Sequence, residues 1–167
     1  MSSPAFADNT PIPAGYSCNG RDVPPPLRWG NVPVGTESLA LVVDDPDAVG
    51  GLYTHWVVTG ITPSTSEIVD GALPAGAQVS ANCGGRAAYL GPCPPAGSGV
   101  HHSCFQLSAL NKSLALAPTT PADKPPKRLP APRSPRLARS ASSAAEASAM
   151  HSVAHRSGGQ LPICAYT

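Results

Sequence analysis

Apolar and polar positions alternate most clearly around one charged loop. The run Leu39-Ala40-Leu41-Val42-Val43 ends in three carboxylates, Asp44, Asp45 and Asp47, and a second run, Val57-Val58, follows His55 and Trp56. Pro46, Gly50 and Gly51 lie between them. Branched residues suit a pleated surface and Gly and Pro punctuate it, so residues 38–61 predict two strands joined by a polar loop. Cys104–Leu110 predicts a third strand, with Phe105, Leu107 and Ala109 on one face and Cys104, Gln106, Ser108 and Leu110 on the other. Leu27-Arg28-Trp29 predicts a short strand that sends Trp29 into the core, and Ser66–Val69 predicts a brief pairing. The prolines at 11, 13 and 24–26 exclude helix from the entry segment, because each lacks a backbone donor and restricts its predecessor. Residues 77–100 carry many glycines and little periodicity, the mark of a long, largely irregular segment of the kind that often carries function.

Composition agrees with a loop-rich β fold. With 21 prolines, 16 glycines and only 5% aromatics in 167 residues, one β domain is favoured over a helical one. The pattern weakens after residue 117. Up to that point four basic residues stand against eight acidic ones, a balance of −4; from 118 to 167 seven stand against two, a balance of +5. Residues 118–140 contain seven prolines and only Leu129 and Leu137 as sizeable apolar residues, too little to offset the ordering of a backbone. Ala141–Met150 has helix propensity without an apolar stripe, and Val153 and Leu161-Pro162-Ile163-Cys164 predict only weak docking. The expected organisation is a β domain over 1–117 and an atypical, disordered or extended tail over 118–167.

Several function classes recede. No apolar run approaches the ~20 residues of a membrane span, and the N-terminus has neither a basic nor an apolar leader region. A cytoplasmic protein is the expectation. Arg133, Arg136 and Arg139 have no aromatics among them and prolines between them, so nucleic acid is not an expected partner. Cys18, Cys83, Cys93, Cys104 and Cys164 are odd in number and follow no zinc spacing; neither a metal nor another cofactor is expected. Free thiols in a reducing compartment are the plain reading, with a bridge such as Cys83–Cys93 open only to an oxidising one.

The candidate chemistry gathers at strand ends. His55 opens one strand; His101 and His102 open another, after the stiff, glycine-flanked segment Gly91-Pro92-Cys93-Pro94-Pro95. If these strands neighbour each other, His55 and His101 face a common hollow, with Asp45 or Asp47 orienting one imidazole. Imidazole and loop N–H groups there suit a small anion, while the carboxylates hold histidine tautomers. Each histidine is weighed against a satisfied structural role, which is the preferred reading for His102. A hydrolase using His101 with Ser98, Ser103, Cys93 or Cys104 is the contrasting reading, though no GxSxG elbow presents either serine. Two histidines and an aspartate also permit a divalent metal without indicating one.

In order and spacing, several motifs resemble the phosphatidylethanolamine-binding protein family, in its bacterial Raf-kinase-inhibitor-like branch. They are Ile12-Pro13 to Tyr16-Ser17-Cys18-Asn19-Gly20 with Asp22, Pro24 to Trp29, Ser38 to Ala48, His55-Trp56, Asn82, Gly91 to Pro95, Gly97 and His101. The resemblance covers about residues 4–117. It implies a mainly β fold, with a large antiparallel sheet packed on a smaller one and helices at the periphery. It also implies a pocket for phosphate-like anions or phospholipid head groups, lined by Asp45, Asp47, His55, Pro94, Pro95 and His101, with no catalytic mechanism attached. Relatives in eukaryotes act on signalling through protein partners, so an inhibitor of a kinase or protease is a further alternative. Three departures stand out: Val49 replaces a proline, Ser103 stands where an aromatic is usual, and no family-like terminal helix or strand is legible after Leu116. The tail's composition resembles a shifted reading frame from GC-rich coding sequence.

Overall fold

A computed structural model describes residues 1–69, 71–114, 116–119 and 162–167. Among the described residues, eight strands form two sheets: β1 (Thr10–Pro11), β2 (Leu27–Arg28), β3 (Ser38–Asp45), β4 (Tyr53–Ile61), β5 (Glu67–Ile68), β6 (Gln78–Ser80), β7 (His102–Leu110) and β8 (Ile163–Tyr166). The large sheet runs β1-β8-β7-β3-β4-β6 and the small one pairs β2 with β5. All pairings are antiparallel except β1 with β8. The architecture is the mainly β one expected, with a three-residue 3-10 turn, Ala14–Tyr16, as the helical element among the described residues.

The core lies between the sheets. Leu39, Leu41 and Val43 of β3, Trp56, Val58 and Ile61 of β4, and Phe105 and Leu107 of β7 form one face of the large sheet. Leu27, Trp29 and Ile68, in and beside the small sheet, join the same cluster. Trp29 is buried, as expected of a core residue, and its indole N–H donates to the Thr65 carbonyl at 2.7 Å. A single core that recruits both sheets gives the alternating strands one common inside, at roughly 25 cal/mol per Å² of apolar area covered.

The 77–100 segment is largely irregular, as expected, and within it β6 pairs with the edge of β4 through Val58↔Val79. More consequentially, Ile163–Tyr166 is a full member of the large sheet, paired with β7 through Ser103↔Ala165 and Phe105↔Ile163. Ile163 and Ala165 are buried, so the sheet that begins before residue 117 takes a strand from beyond it. Four residues give too little alternation to be legible alone; the partner strand supplies the order. The expectations for Arg133, Arg136, Arg139, Ala141–Met150 and Val153 lie outside the described residues. Among the described residues no helix is long and apolar enough to cross a membrane.

Candidate functional site

Strand β3 sends Leu41 and Val43 into the core, and the next position on that face is Asp45. A carboxylate therefore occupies the buried end of an apolar row. Its partner comes from across the sheet: β7 pairs with β3 through Val43↔Phe105 and Asp44↔Cys104, and the ladder continues beyond β7, where His101 and Thr167 exchange backbone hydrogen bonds. This register brings His101 Nδ1 to 2.7 Å from Asp45 Oδ2, with both side chains buried. Asp45 Oδ1 accepts the Asp47 backbone N–H at 2.8 Å, so both carboxylate oxygens are engaged. Burying a charge demands such partners.

His55 arrives from the other side of β3 by a local irregularity. Val43 pairs with Trp56 and Asp44 with Thr54, which leaves His55 as the extra residue of a bulge. Bulges re-aim side chains at the ends of strands. His55 is 5% exposed, and its Nδ1 lies 2.8 Å from the Leu90 carbonyl. A carbonyl only accepts, so Nδ1 carries the proton. Burial holds the His55 pKa below the usual histidine range, opposed by the Leu90 bond and by the negative charges of Asp45, Asp44 and Asp22. Asp45 is thus common to both rings: hydrogen-bonded to His101 and electrostatically coupled to His55. The Nε2 atoms of His55 and His101 are both buried, and neither has a hydrogen-bond partner among the described residues. Buried polar atoms in folded proteins are normally paired, so two orphans beside one carboxylate make this strand end the candidate site.

The glycine-proline segment is pinned nearby. Gly91 donates its N–H to Asp22 Oδ1 at 2.6 Å, Cys18 donates its N–H to the Pro92 carbonyl, and a Cys18–Cys93 disulfide ties the two loops. A Cβ on Gly91 would lie 2.7 Å from the Tyr16 carbonyl oxygen and 2.8 Å from Ser17 Cα, so only glycine fits. The Tyr89 hydroxyl donates to the Tyr16 carbonyl, and burial together with Asp22 raises the phenol's pKa. Pro94 is half-buried and Pro95 exposed; the Pro95 carbonyl accepts from Ser98.

The expected site residues therefore separate into groups. Asp45, His55 and His101 share one neighbourhood, but their rings are covered instead of opening onto a wide hollow. Asp47 turns elsewhere: its carboxylate accepts from His102 at 2.7 Å, a bond that holds its pKa below the usual range. Alternation along β7 sends His102 to the opposite face from His101. There an open hollow of about 480 Å³ is lined by Asp8, Asn9, Pro46, Asp47, His102, Cys104 and Cys164. The cysteines also depart from expectation. Cys18–Cys93 and Cys104–Cys164 are bridged, and Cys83 is the free, exposed thiol; the Cys83–Cys93 pairing is not formed. Cysteine spacing cannot determine which loops fold together. The Leu90 carbonyl also escaped sequence reasoning, since every residue carries one. Asp22 was visible as a family motif, but nothing local tied it to Gly91.

The family model described as phosphatidylethanolamine-binding protein matches residues 2–153. A Mycobacterium tuberculosis protein named "Putative lipoprotein LppC" is 56% identical over 118 residues, covering 71% of this chain and 58% of that protein. The chain thus spans less than two thirds of the length of that relative. Among solved structures, CT736 of Chlamydia trachomatis superposes with a TM-score of 0.71 at 26% identity, and Escherichia coli YbcL with 0.72 at 24%. Each alignment covers 99% of this chain and 94% of the other. With the family model matched over residues 2–153, the chain belongs to the phosphatidylethanolamine-binding protein family.

Proposed function

We propose that this chain is a non-catalytic binding protein for phosphate-like anions or phospholipid head groups, which it takes at the Asp45–His55–His101 end of the large sheet. The observation that carries the reading is the pair of buried, unpartnered Nε2 atoms flanking one carboxylate. The pinned Gly91–Pro95 segment is a rigid neighbour, with Pro94 and Pro95 as wall residues, and Asp47 contributes its backbone N–H to Asp45 more than its own carboxylate. Because both rings are covered, ligand entry displaces their cover.

The hydrolase alternative has less support. Cys93 and Cys104 are consumed in disulfides, Ser98 Oγ donates to the Pro95 carbonyl, and His101 Nε2 has no hydroxyl partner among the described residues. An aspartate–histidine pair without a nucleophile at its other nitrogen positions a ring but starts no acyl transfer. Two disulfides also favour an oxidising compartment over the cytoplasm, in keeping with the lipoprotein name of the mycobacterial relative. Inhibition of a protein partner through the same site is the remaining alternative.

Calorimetric titration with inorganic phosphate and phosphoethanolamine tests the reading. Saturable binding that weakens at least tenfold in both His55→Ala and His101→Ala, with no turnover of ester substrates, is expected. Unchanged affinity in both variants overturns the site, and a burst of ester hydrolysis overturns the non-catalytic assignment.

A further inference from the structure

The face of β7 opposite His101 carries a hollow with a reactive wall. Cys104 and Cys164 stand directly across from each other on β7 and β8, both half-buried, and both line that hollow together with Asp8, Asp47 and His102. A thiolate that enters the hollow therefore meets a disulfide, the group that thiolates attack. The approach is electrically one-sided. Asp8 accepts the Cys164 N–H at 2.9 Å, which sets its carboxylate beside the bridge. Asp47 accepts from His102, which alternation along β7 places on the same face as Cys104. Asp44, paired with Cys104 from β3, is a third and buried carboxylate on that face. A thiolate brings one more negative charge towards these groups, so a thiol that also carries a positive charge is repelled less.

We propose that the Cys104–Cys164 bridge is a reversible thiol-exchange site entered through this hollow, that it takes aminothiols in preference to acidic thiols, and that its opening loosens β8. The incoming thiolate sulfur bonds to one Sγ as the Sγ–Sγ bond breaks, and the electron pair leaves on the other Sγ, which takes up a proton from water. A second thiolate attacks the outer sulfur of the mixed disulfide. The remaining cysteine leaves as a thiolate and is protonated, so the bridge is reduced and two small thiols are oxidised to their disulfide. Strand β8 then relies on its four-residue ladder with β7 and on the two residues of β1.

The test incubates the oxidised, folded chain at pH 7.5 with cysteamine, 2-mercaptoethanol or 3-mercaptopropionate, then alkylates it and reads each cysteine by peptide mass spectrometry. Each rate is divided by that thiol's rate on a neutral model disulfide, which removes differences in nucleophilicity. Cysteamine is expected to open Cys104–Cys164 about tenfold faster than 3-mercaptopropionate on this scale, with 2-mercaptoethanol between them. The gap should narrow in about 0.5 M salt. It should also narrow in Asp8→Asn, which keeps an oxygen for the Cys164 N–H and removes the charge. Amide exchange at Ala165 and Thr167 should accelerate several-fold once the bridge is open. A bridge that opens only after the chain is unfolded overturns the exchange site. Equal normalised rates for the three thiols overturn the preference for aminothiols, and unchanged protection of Ala165 after reduction overturns the loosening of β8. None of these readouts depends on phosphate binding at the Asp45–His55–His101 end.

Discussion

Replacing Cys104 and Cys164 together by serine removes the covalent tie between β7 and β8 while leaving their backbone ladder available. The bridge joins residues 60 apart whose Cα atoms are 4.1 Å from each other in directly paired positions. Closing a loop of that length in the unfolded chain reduces its entropy by an amount equivalent to about 4 kcal/mol. Against the roughly 5–15 kcal/mol that holds a typical domain, this is a large fraction. For a chain of this size each kcal/mol moves the melting temperature by about 2–4 °C, so the double variant is expected to melt about 8–16 °C lower. The loss has a specific address. Strand β8 buries Ile163 and Ala165 and leads to Thr167, whose N–H donates to the His101 carbonyl at 3.0 Å. Amide exchange should therefore accelerate first at Ala165, Thr167 and their partners in β7, and phosphate affinity should fall with it. Calorimetry and hydrogen exchange on the oxidised wild type and the double variant measure both effects. A shift below about 3 °C with unchanged protection of Ala165 would refute the claim that the bridge secures the last strand.

Three further expectations concern other parts of the chain. Burial holds His55 below the usual histidine range, so the unfolded state binds more protons as pH falls below about 6.5; stability is therefore full above that pH and declines below it, and His55→Gln should flatten the slope in denaturant melts taken from pH 7.5 to 5. Gly91→Ala drives a methyl group against the backbone of Tyr16 and Ser17 and should cost about 1–3 kcal/mol, together with a loss of phosphate affinity; wild-type stability in a urea melt would contradict the close approach. Phe105→Ala empties a fully buried position between the sheets and packed against Phe6, at an expected cost of about 3–5 kcal/mol in the same assay, and a cost under 1 kcal/mol would contradict the placement of the core.

Local pattern carried much of the fold. The alternation of Phe105, Leu107 and Ala109, the apolar run 39–43 and the prolines of the entry segment each constrain the backbone within a few residues, and the corresponding strands form with boundaries moved by one or two positions. The motifs from Ile12 to His101 also carried the family. Their order along the chain is a linear property, and a sequence displays it directly.

What the chain could not announce is everything that depends on a partner distant in sequence. Whether Asp45 or Asp47 orients His101 depends on the register of β3 against β7, and strand alternation then sends His102 to Asp47 on the opposite face. The single-residue slip that delivers His55, the carbonyl of Leu90 that fixes its tautomer, the pairing of Cys18 with Cys93 and of Cys104 with Cys164, and the insertion of Ile163–Tyr166 into the sheet are likewise contacts between remote segments. Residue types and their near neighbours determined which segments extend and which turn. Only the assembled sheet decided which polar atoms meet, because a hydrogen bond or a disulfide is a matter of a few ångströms in space and of no fixed distance along a chain.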